Sequence, residues 1–305
     1  MAVTAAMVKE LRERSGAGMS ACKNALVESN GDMDRAVEIL REKGLAAAAK
    51  KAGRVAAEGL VCALVADDNK SGVLVEVNSE TDFVAKNQDF INYVNQVAEL
   101  ALKSEAKDIE TFMAEKWSGS ETVQDVLIQK IALIGEKVGI RRFERFIAGE
   151  NGVIVKYIHG GGRVAVLMEL DSAVVNAELL EAGRNLCMQI AAMSPQFVAM
   201  GDVSEEFIAK EKEILLQQAI NEGKSANIAE KMVEGRLKKN LVALCLLEQE
   251  YVKESDMNCA QYLASIGKAI GVAIGVRRFA RYATGEGIEK KVEDFADEVN
   301  KAMNI

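Results

Sequence analysis

The spacing of apolar residues predicts helices in the first part of the chain. Residues 4–43 hold three short segments with apolar residues at helical spacing, separated by glycines, and Asp32 stands where the N-cap of the third helix belongs. Three such helices can close only a very small core, which suits the display of a surface. The Ala-rich segment 45–59 then predicts a helical linker, whose basic residues face solvent or an acidic partner.

A diverged internal duplication begins at residue 59. Residues 59–79 (GLVCALVADDNKSGVLVEVNS) align without gaps on residues 152–172 (GVIVKYIHGGGRVAVLMELDS). In each copy the pattern predicts a strand, a turn and a strand, followed by an amphipathic helix. These helices are expected at about 87–103 and 174–193.

A second pair of segments repeats at a different offset. VGIRRFERFIAGE at 138–150 matches IGVRRFARYATGE at 274–286, and both have the pattern of a strand. Each half is therefore expected to fold as a hairpin, one or more helices and a returning third strand. This arrangement predicts two related α+β subdomains, each with a three-stranded antiparallel sheet and helices on one face.

Two further helical segments have no counterpart in the duplication. Residues 204–240 interrupt the second copy with two charge-balanced helical patterns that meet around Gly223, which is typical of an antiparallel coiled-coil arm. Residues 287–303 have an apolar stripe at helical spacing, which predicts a C-terminal helix able to dock on the body or on a partner.

The expected fold class is therefore α+β, with an N-terminal three-helix (UBA-like) module ahead of a duplicated core. The expected segments are the module (1–45), the helical linker (46–58), core subdomain N (59–150), core subdomain C (151–203 and 241–286), the coiled-coil insertion (204–240) and the C-terminal helical module (287–305).

Composition narrows the class of protein. An apolar share of 49% over 305 residues allows two or three domains with cores of their own. No uncharged run approaches the roughly 18 residues of a membrane span, and the N-terminal segment has no features of a signal or transit peptide. We therefore expect a cytoplasmic protein without membrane contact. Its five cysteines are widely and irregularly spaced, which favours reduced, semi-buried thiols over disulfides or a zinc site.

The charge is unevenly distributed. A formal net charge of -8 argues against direct binding of nucleic acid, because phosphate contacts need a basic surface. Residues 1–58 hold ten Lys and Arg against eight Asp and Glu, so this segment carries +2 and the remainder carries -10. The first segment therefore has a net charge of opposite sign to the rest, which indicates a separate module with a different binding role.

The sequence lacks convincing catalytic motifs. His159, the only histidine, opens an H-G-G-G run like the oxyanion loop of some esterases, but the G-x-S-x-G nucleophile motif is missing and a glycine hairpin turn explains the run better. Residues 223–225 resemble the end of a phosphate-binding loop, but they follow a helical segment and position 218 is Gln. The carboxylates have no metal-ligand spacing. We expect neither an enzyme nor a bound cofactor.

The segment EVNSETDFVAKN, residues 76–87, is chemically unusual for a connection between a strand and a helix. Asp82 and Phe83 place a carboxylate beside a large aromatic ring. One interpretation is local: Asp82 or Asn87 caps the next helix, and Phe83 or Val84 forms a hydrophobic staple. The other is a binding loop. The residue pattern alone does not separate the two.

Four runs resemble, in order and over essentially the full chain, the bacterial elongation factor Ts family. They are LRERSGAGMSACKNAL (11–26), EVNSETDFVAKN (76–87), HGGGRVAVL (159–167) and EKMVEGRLKK (230–239). The second run is the most specific, since Glu76 to Lys86 match an eleven-residue signature of that family. The order of module, duplicated core, arm and terminal helix also agrees.

The resemblance implies a guanine-nucleotide exchange factor for the translational GTPase elongation factor Tu. By similarity, Thr81, Asp82, Phe83 and Val84 enter the partner beside its magnesium and phosphate site. By the same similarity, the small module would press on the partner's nucleotide domain and the second hairpin would grip another domain, through Arg12, Met19, Lys23 and His159. The C-terminal helix would support the first contact, and the arm would mediate self-association, within a homodimer or a 2:2 complex, or touch the GTPase.

Some positions depart from the family pattern, and one competing function remains. The departures are Ser15, Gln189, Ser225 and Glu250, which bear on the arm, a loop and the core but not on residues 81–84. The competing interpretation is a UBA-like adaptor or scaffold without exchange activity, which would not need the Thr-Asp-Phe-Val turn.

Overall fold

The computed structural model describes residues 3–223 and 226–289. The protein is a mixed α+β chain, and the described residues form eleven α-helices together with several small antiparallel sheets. The chain divides into two compact units. Among the described residues, unit 1 comprises 3–62, 75–143 and 283–289, and unit 2 comprises 63–74, 144–223 and 226–282.

Three helices open the chain, as the spacing of apolar residues predicted. They are α1 (Ala5–Ser15), α2 (Met19–Glu28) and α3 (Met33–Lys51). Asp32 caps α3 as expected, with its carboxylate accepting the N–H of Arg35. A small core joins the three helices, formed by Val8, Leu11, Cys22, Ala25, Leu26, Ala36 and Ile39.

The third helix does not end where the predicted helical segment ends, at residue 43. Helix α3 runs through Gly44 to Lys51 and so includes the first part of the segment predicted as a linker. A Cβ on Gly44 would lie 3.2 Å from the side chain of Ile128, in a helix described below. The glycine therefore allows two helices to approach closely, and it does not act as a helix terminator here.

The first copy of the duplication contains the predicted hairpin, helix and returning strand. Its elements are β1 (Glu58–Val65), β2 (Ser71–Ser79), α4 (Asp82–Ala85), α5 (Gln88–Lys103), α6 (Ile109–Ala114), β3 (Lys116–Ser118), β4 (Glu121–Thr122), α7 (Val123–Ile134) and β5 (Val138–Ile147). Strand β2 is the middle strand of the sheet β1-β2-β5. Helix α5 begins after Asn87, whose side chain accepts the N–H of Asp89, as one of the two cap options predicted.

The second copy repeats this order. Its elements are β6 (Gly152–His159), β7 (Val164–Asp171), α8 (Ala177–Met193), β8 (Glu250–Tyr251), β9 (Glu254–Asn258), α11 (Cys259–Ile270) and β10 (Gly275–Ala283). Strand β7 is the middle strand of the sheet β10-β7-β6, and β6 pairs antiparallel with β7 from Gly152 opposite Asp171 to His159 opposite Val164. Helix α8 begins three residues later than predicted because Asn176 caps it.

The insertion in the second copy forms two packed helices, α9 (Glu205–Asn221) and α10 (Ala226–Leu244). Their shared core consists of Leu215, Ala219, Ala229 and Val233. Small and branched apolar residues therefore join the two helices along one side.

Two of the departures from the family pattern are well accommodated. The Ser15 hydroxyl is buried and donates to the carbonyl oxygen of Leu11 at 2.6 Å. The buried Gln189 amide donates to the carbonyl oxygen of Glu250 at 3.0 Å and accepts the N–H of Val252 at 2.8 Å. Neither substitution leaves its side chain unsatisfied.

Other expectations concern cysteines, membranes and the C-terminal helix. The five cysteines all lie in the described part of the chain, are buried, and form no disulfide. Among the described residues, no helix is long and apolar enough to cross a membrane. The helix predicted at 287–303 lies outside the described residues from position 290 onward.

Candidate functional site

The connection between β2 and α5 places a short helix at the surface. At the end of β2 the buried Ser79 hydroxyl donates to the carbonyl oxygen of Thr81 at 3.0 Å, which turns the chain. Thr81 then caps α4, with its hydroxyl oxygen accepting the N–H of Val84 at 3.4 Å. The expectation that Asp82 could be a cap was wrong, since Asp82 lies inside the first turn of α4 and Thr81 has the extended backbone of an N-cap.

Helix α4 is too short to be stable by itself. It has four residues, whereas an isolated helix in water needs more than roughly 12. Of its residues, Ala85 is buried, while the side chain of Phe83 is 81% exposed. The neighbouring structure must therefore hold the turn in shape while the aromatic ring stays in solvent.

Two carboxylates hold the base of this turn. The Glu136 carboxylate accepts the N–H of Thr81 at 3.0 Å and its hydroxyl at 2.8 Å. In return, the backbone N–H of Lys137 donates to the carboxylate of Glu80, which also receives Arg54 at 3.3 Å. The two segments thus exchange carboxylate-to-backbone hydrogen bonds, a charge-assisted and geometrically specific arrangement.

Asp82 is the charged member of the exposed surface. Its carboxylate is 38% exposed and lies 2.6 Å from the ammonium of Lys86, four residues later on the chain. Surface ion pairs of this kind contribute little to stability. A partner that supplies a better cation or a hydrogen-bond donor could therefore displace Lys86 at small cost. The exposed ring of Phe83 beside this carboxylate has the composition of a binding surface.

A buried ionic cluster supports the strand that leads into the turn. Glu76 on β2 is fully buried, and its carboxylate accepts hydrogen bonds from Arg141 at 3.0 Å, Arg142 at 2.6 Å and the N–H of Gly285 at 2.8 Å. Burial alone would raise the pKa of Glu76, but these donors and Asn78 outweigh it and hold the pKa below its ordinary value. The carboxylate therefore stays ionised.

Sequence reasoning missed the roles of Glu136 and of the Glu76 cluster. The sequence did contain a signal for the cluster. Glu76 and Glu169 are equivalent positions of the two aligned hairpin segments, and Arg141 and Arg142 are equivalent to Arg277 and Arg278 in the two aligned third-strand segments. A buried acid opposite a pair of arginines in both copies indicates a structural ion pair. For Glu136 the sequence gives no comparable signal.

The residues predicted in the three-helix module lie on its surface. Arg12 is in the last turn of α1, and Met19 and Lys23 are one turn apart on α2. All three side chains are exposed, with Met19 at 47%. The core of the module fixes the two helices that carry them, so one apolar and two basic side chains are available for contact.

His159 belongs to the other compact unit. It is exposed at the end of β6, opposite Val164, and its Nδ1 lies 3.0 Å from the hydroxyl of Tyr157. The three glycines after it have positive φ and form the predicted turn. The exposed His159 thus lies at the turn end of a regularly paired hairpin.

Comparison with known proteins tests the resemblance. The family profile described as Elongation factor TS matches residues 80–286. The chain belongs to the elongation factor Ts family. It is 53% identical to Elongation factor Ts of Clostridium perfringens over 299 residues, which cover 98% of both chains.

Other elongation factor Ts proteins are similar over nearly the whole chain. Elongation factor Ts of Clostridioides difficile is 51% identical over 301 residues, covering 99% of both chains. Elongation factor Ts of Clostridium acetobutylicum is 50% identical over 302 residues, covering 99% of this chain and 98% of the relative. The family therefore accounts for all the regions described above, including the three-helix module ahead of the profile match.

Proposed function

We propose that this protein is the guanine-nucleotide exchange factor for elongation factor Tu, acting in the elongation stage of protein synthesis in the cytoplasm. Membership of the elongation factor Ts family supports this function. The observation that carries the mechanism is the exposed Phe83 beside Asp82, on a turn that neighbouring carboxylates hold in place. The adaptor alternative gives no reason for this turn.

The turn would act on the partner's magnesium and phosphate site. Magnesium demands near-ideal octahedral geometry, so a small displacement of its surroundings lowers the affinity for GDP. Phe83 would supply an apolar anchor that is desolvated on contact, and Asp82 would compete for groups around the ion, while Thr81 and Val84 shape the turn. No covalent step is required of this chain.

Linkage explains how binding alone accelerates release. If the factor binds the nucleotide-free GTPase more tightly than the GDP-bound form, it must weaken GDP binding by the same ratio. Binding of GTP then displaces the factor for the same reason. The exchange factor therefore needs differential contacts to the two states of the GTPase.

The remaining segments would provide further contacts. We infer that the UBA-like module touches the nucleotide domain of elongation factor Tu through Arg12, Met19 and Lys23, and that the hairpin with His159 grips another domain. The insertion 204–240 would be a coiled-coil arm, used for self-association or for contact with the GTPase. The other proposed boundaries are 1–45, 46–58, 59–150, 151–203 with 241–286, and 287–305.

The direct test is nucleotide release. Elongation factor Tu loaded with a fluorescent GDP is mixed with the protein and excess unlabelled GDP, and the loss of fluorescence is followed. We expect release to accelerate with the concentration of the protein until it reaches a plateau. A release rate equal to the spontaneous rate at every concentration would overturn the proposed function.

A further inference from the structure

The shape of the exposed turn depends on groups outside it. Helix α4 spans a single turn, and its largest side chain, Phe83, points into solvent, so packing of that ring contributes nothing to its order. Thr81 provides the helix cap. The group that fixes Thr81 therefore governs the position of the residues that follow it.

Glu136 is placed to do this. It follows Gly135, which ends α7 with a left-handed backbone at φ 82°, and it precedes β5. Both of its carboxylate oxygens are used on Thr81: one receives the N–H at 3.0 Å and the other receives the hydroxyl at 2.8 Å. Two bonds between one carboxylate and one residue fix the direction of that residue as well as its distance.

The bond to the hydroxyl also assists the cap. A hydroxyl has one proton and two acceptor lone pairs. Because the Thr81 hydroxyl donates its hydrogen bond to Glu136, the lone pairs of that oxygen are directed toward the N–H of Val84. Without Glu136, the hydroxyl would be free to rotate and the half-buried Thr81 N–H would lose its hydrogen-bond partner. An unsatisfied donor of this kind lowers the free energy of unfolding.

We propose that Glu136 is a positioning residue for nucleotide exchange, which holds the turn 81–84 in the orientation that acts on the GTPase. This inference rests on the proposed function. It predicts that loss of Glu136 lowers the rate of GDP release within the complex, because the turn is then ordered only after binding.

The variant Glu136→Ala tests the inference, with the factor in excess over elongation factor Tu loaded with fluorescent GDP. In this arrangement a partly unfolded variant shifts the half-saturating concentration but leaves the plateau rate unchanged. We expect the plateau to fall at least roughly tenfold, since about tenfold is the factor for each lost hydrogen bond to a charged group. Glu136→Gln keeps one acceptor oxygen and should lower the plateau by about threefold.

Glu115→Ala is the matched control. Glu115 is also half-buried in unit 1, and it accepts the hydroxyl of Ser104 at 2.7 Å, away from the turn. Its plateau should equal that of the unmodified protein. If Glu136→Ala also kept the plateau within about twofold, the positioning role would be wrong.

A double-mutant cycle with Thr81→Val separates this role from a general loss of stability. Thr81→Val removes the hydroxyl that Glu136 accepts, so in the Glu136→Ala background it should lower the plateau by much less than it does alone. Fully additive effects would contradict the inference. Failure of the unmodified protein to release GDP would instead contradict the proposed function.

Discussion

The two copies of the duplication share a scaffold at the same place in their hairpins. In the first copy the Ser79 hydroxyl donates to the carbonyl oxygen of Thr81 at 3.0 Å, and in the second the Ser172 hydroxyl donates to that of Val174 at 2.8 Å. The serines and the acceptors are equivalent positions of the repeat. The bend after the middle strand is therefore a property of the duplicated fold.

The copies also share a buried carboxylate. Glu169 on β7, like Glu76, lies opposite two arginines and accepts a backbone N–H: its partners are Arg277 at 3.7 Å, Arg278 at 2.8 Å and the N–H of Gly149 at 3.1 Å. Gly149 and Gly285 occupy equivalent positions at the ends of the third strands. Each carboxylate thus accepts a backbone N–H from the end of the third strand in the other copy: Glu76 from Gly285 and Glu169 from Gly149.

The copies differ in what directly follows the shared bend. The first inserts the separate helix α4 and exposes Phe83, whereas the second passes directly into α8 through the cap Asn176. Because Asn176 is the counterpart of Phe83, the scaffold tolerates either residue there. The aromatic ring and the acid of the first copy are therefore available for a task outside the fold.

The largest expected effect concerns the buried carboxylates. Glu76→Gln leaves Arg141 and Arg142 opposite a neutral amide. We expect the free energy of unfolding, measured in urea, to fall by about 3 kcal/mol. This is the low end of the range for breaking a buried ion pair, because both arginines are about one-third exposed. Glu169→Gln should cost less, since Arg277 and Arg278 are more exposed. If Glu169→Gln lowered the free energy of unfolding as much as Glu76→Gln, or more, the expected difference between the copies would be wrong.

The same carboxylate gives a pH dependence. Since the pKa of Glu76 is lowered in the folded protein, its contribution to stability is fully present above the ordinary carboxyl value of 4.5 and is lost as the pH falls through the folded value. Urea unfolding between neutral and acidic pH should therefore show a smaller loss of stability for Glu76→Gln than for the unmodified protein. Identical pH profiles would contradict the assignment.

The next effect concerns exchange. Asp82→Ala combined with Phe83→Ala should slow the plateau rate of GDP release by about 100-fold, equivalent to about 2.8 kcal/mol and within the range of interface hot spots. The fold should remain intact, because Phe83 is exposed and the ion pair of Asp82 with Lys86 lies at the surface. Val175→Ala, at the position equivalent to Asp82, is the control and should leave the rate unchanged.

A result in which both variants slowed release equally would mean that the two bends contribute alike. Circular dichroism of the double variant checks that its helices are retained. Normal exchange by the double variant would overturn the assignment of the turn while leaving the function itself intact.

The two equivalent glycines should differ as well. Gly285 has a positive φ of 71°, and a Cβ there would collide with the carbonyl oxygen of Ala57, so Gly285→Ala should destabilise the protein by about 2 kcal/mol. At Gly149 a Cβ would meet only the guanidinium end of Arg277, which is flexible and can move aside. Gly149→Ala should therefore cost under about 1 kcal/mol in the same urea measurement.

The smallest effect concerns the cap of the second copy. Asn176→Ala removes the side chain that accepts the N–H of Leu179 at 2.9 Å and should cost about 1 kcal/mol in the free energy of unfolding. It should not change the rate of GDP release, in contrast to changes at Phe83. A slower release would indicate that the second bend also contacts the GTPase.

Much of this architecture could be predicted because it repeats. The hairpins, the returning strands and the helix after Asn87 follow from alternation, helical spacing and the gapless duplication. The end of α3 could not be found in this way, since Gly44 is determined by the approach of another helix. Nor could Glu136, whose partner Thr81 lies 55 positions earlier in the chain. Local patterns do not record such distant pairings.

The exchanged glycine donors make the two halves of the chain depend on one another. A fragment that ended before Gly285 would leave the Glu76 carboxylate without its backbone N–H donor, which lies in the second copy. A fragment that began after Gly149 would likewise leave Glu169 without its donor, which lies in the first copy. Removal of either half would therefore leave a buried carboxylate in the other half without its backbone donor. Each buried carboxylate therefore needs both halves of the chain to keep its backbone donor.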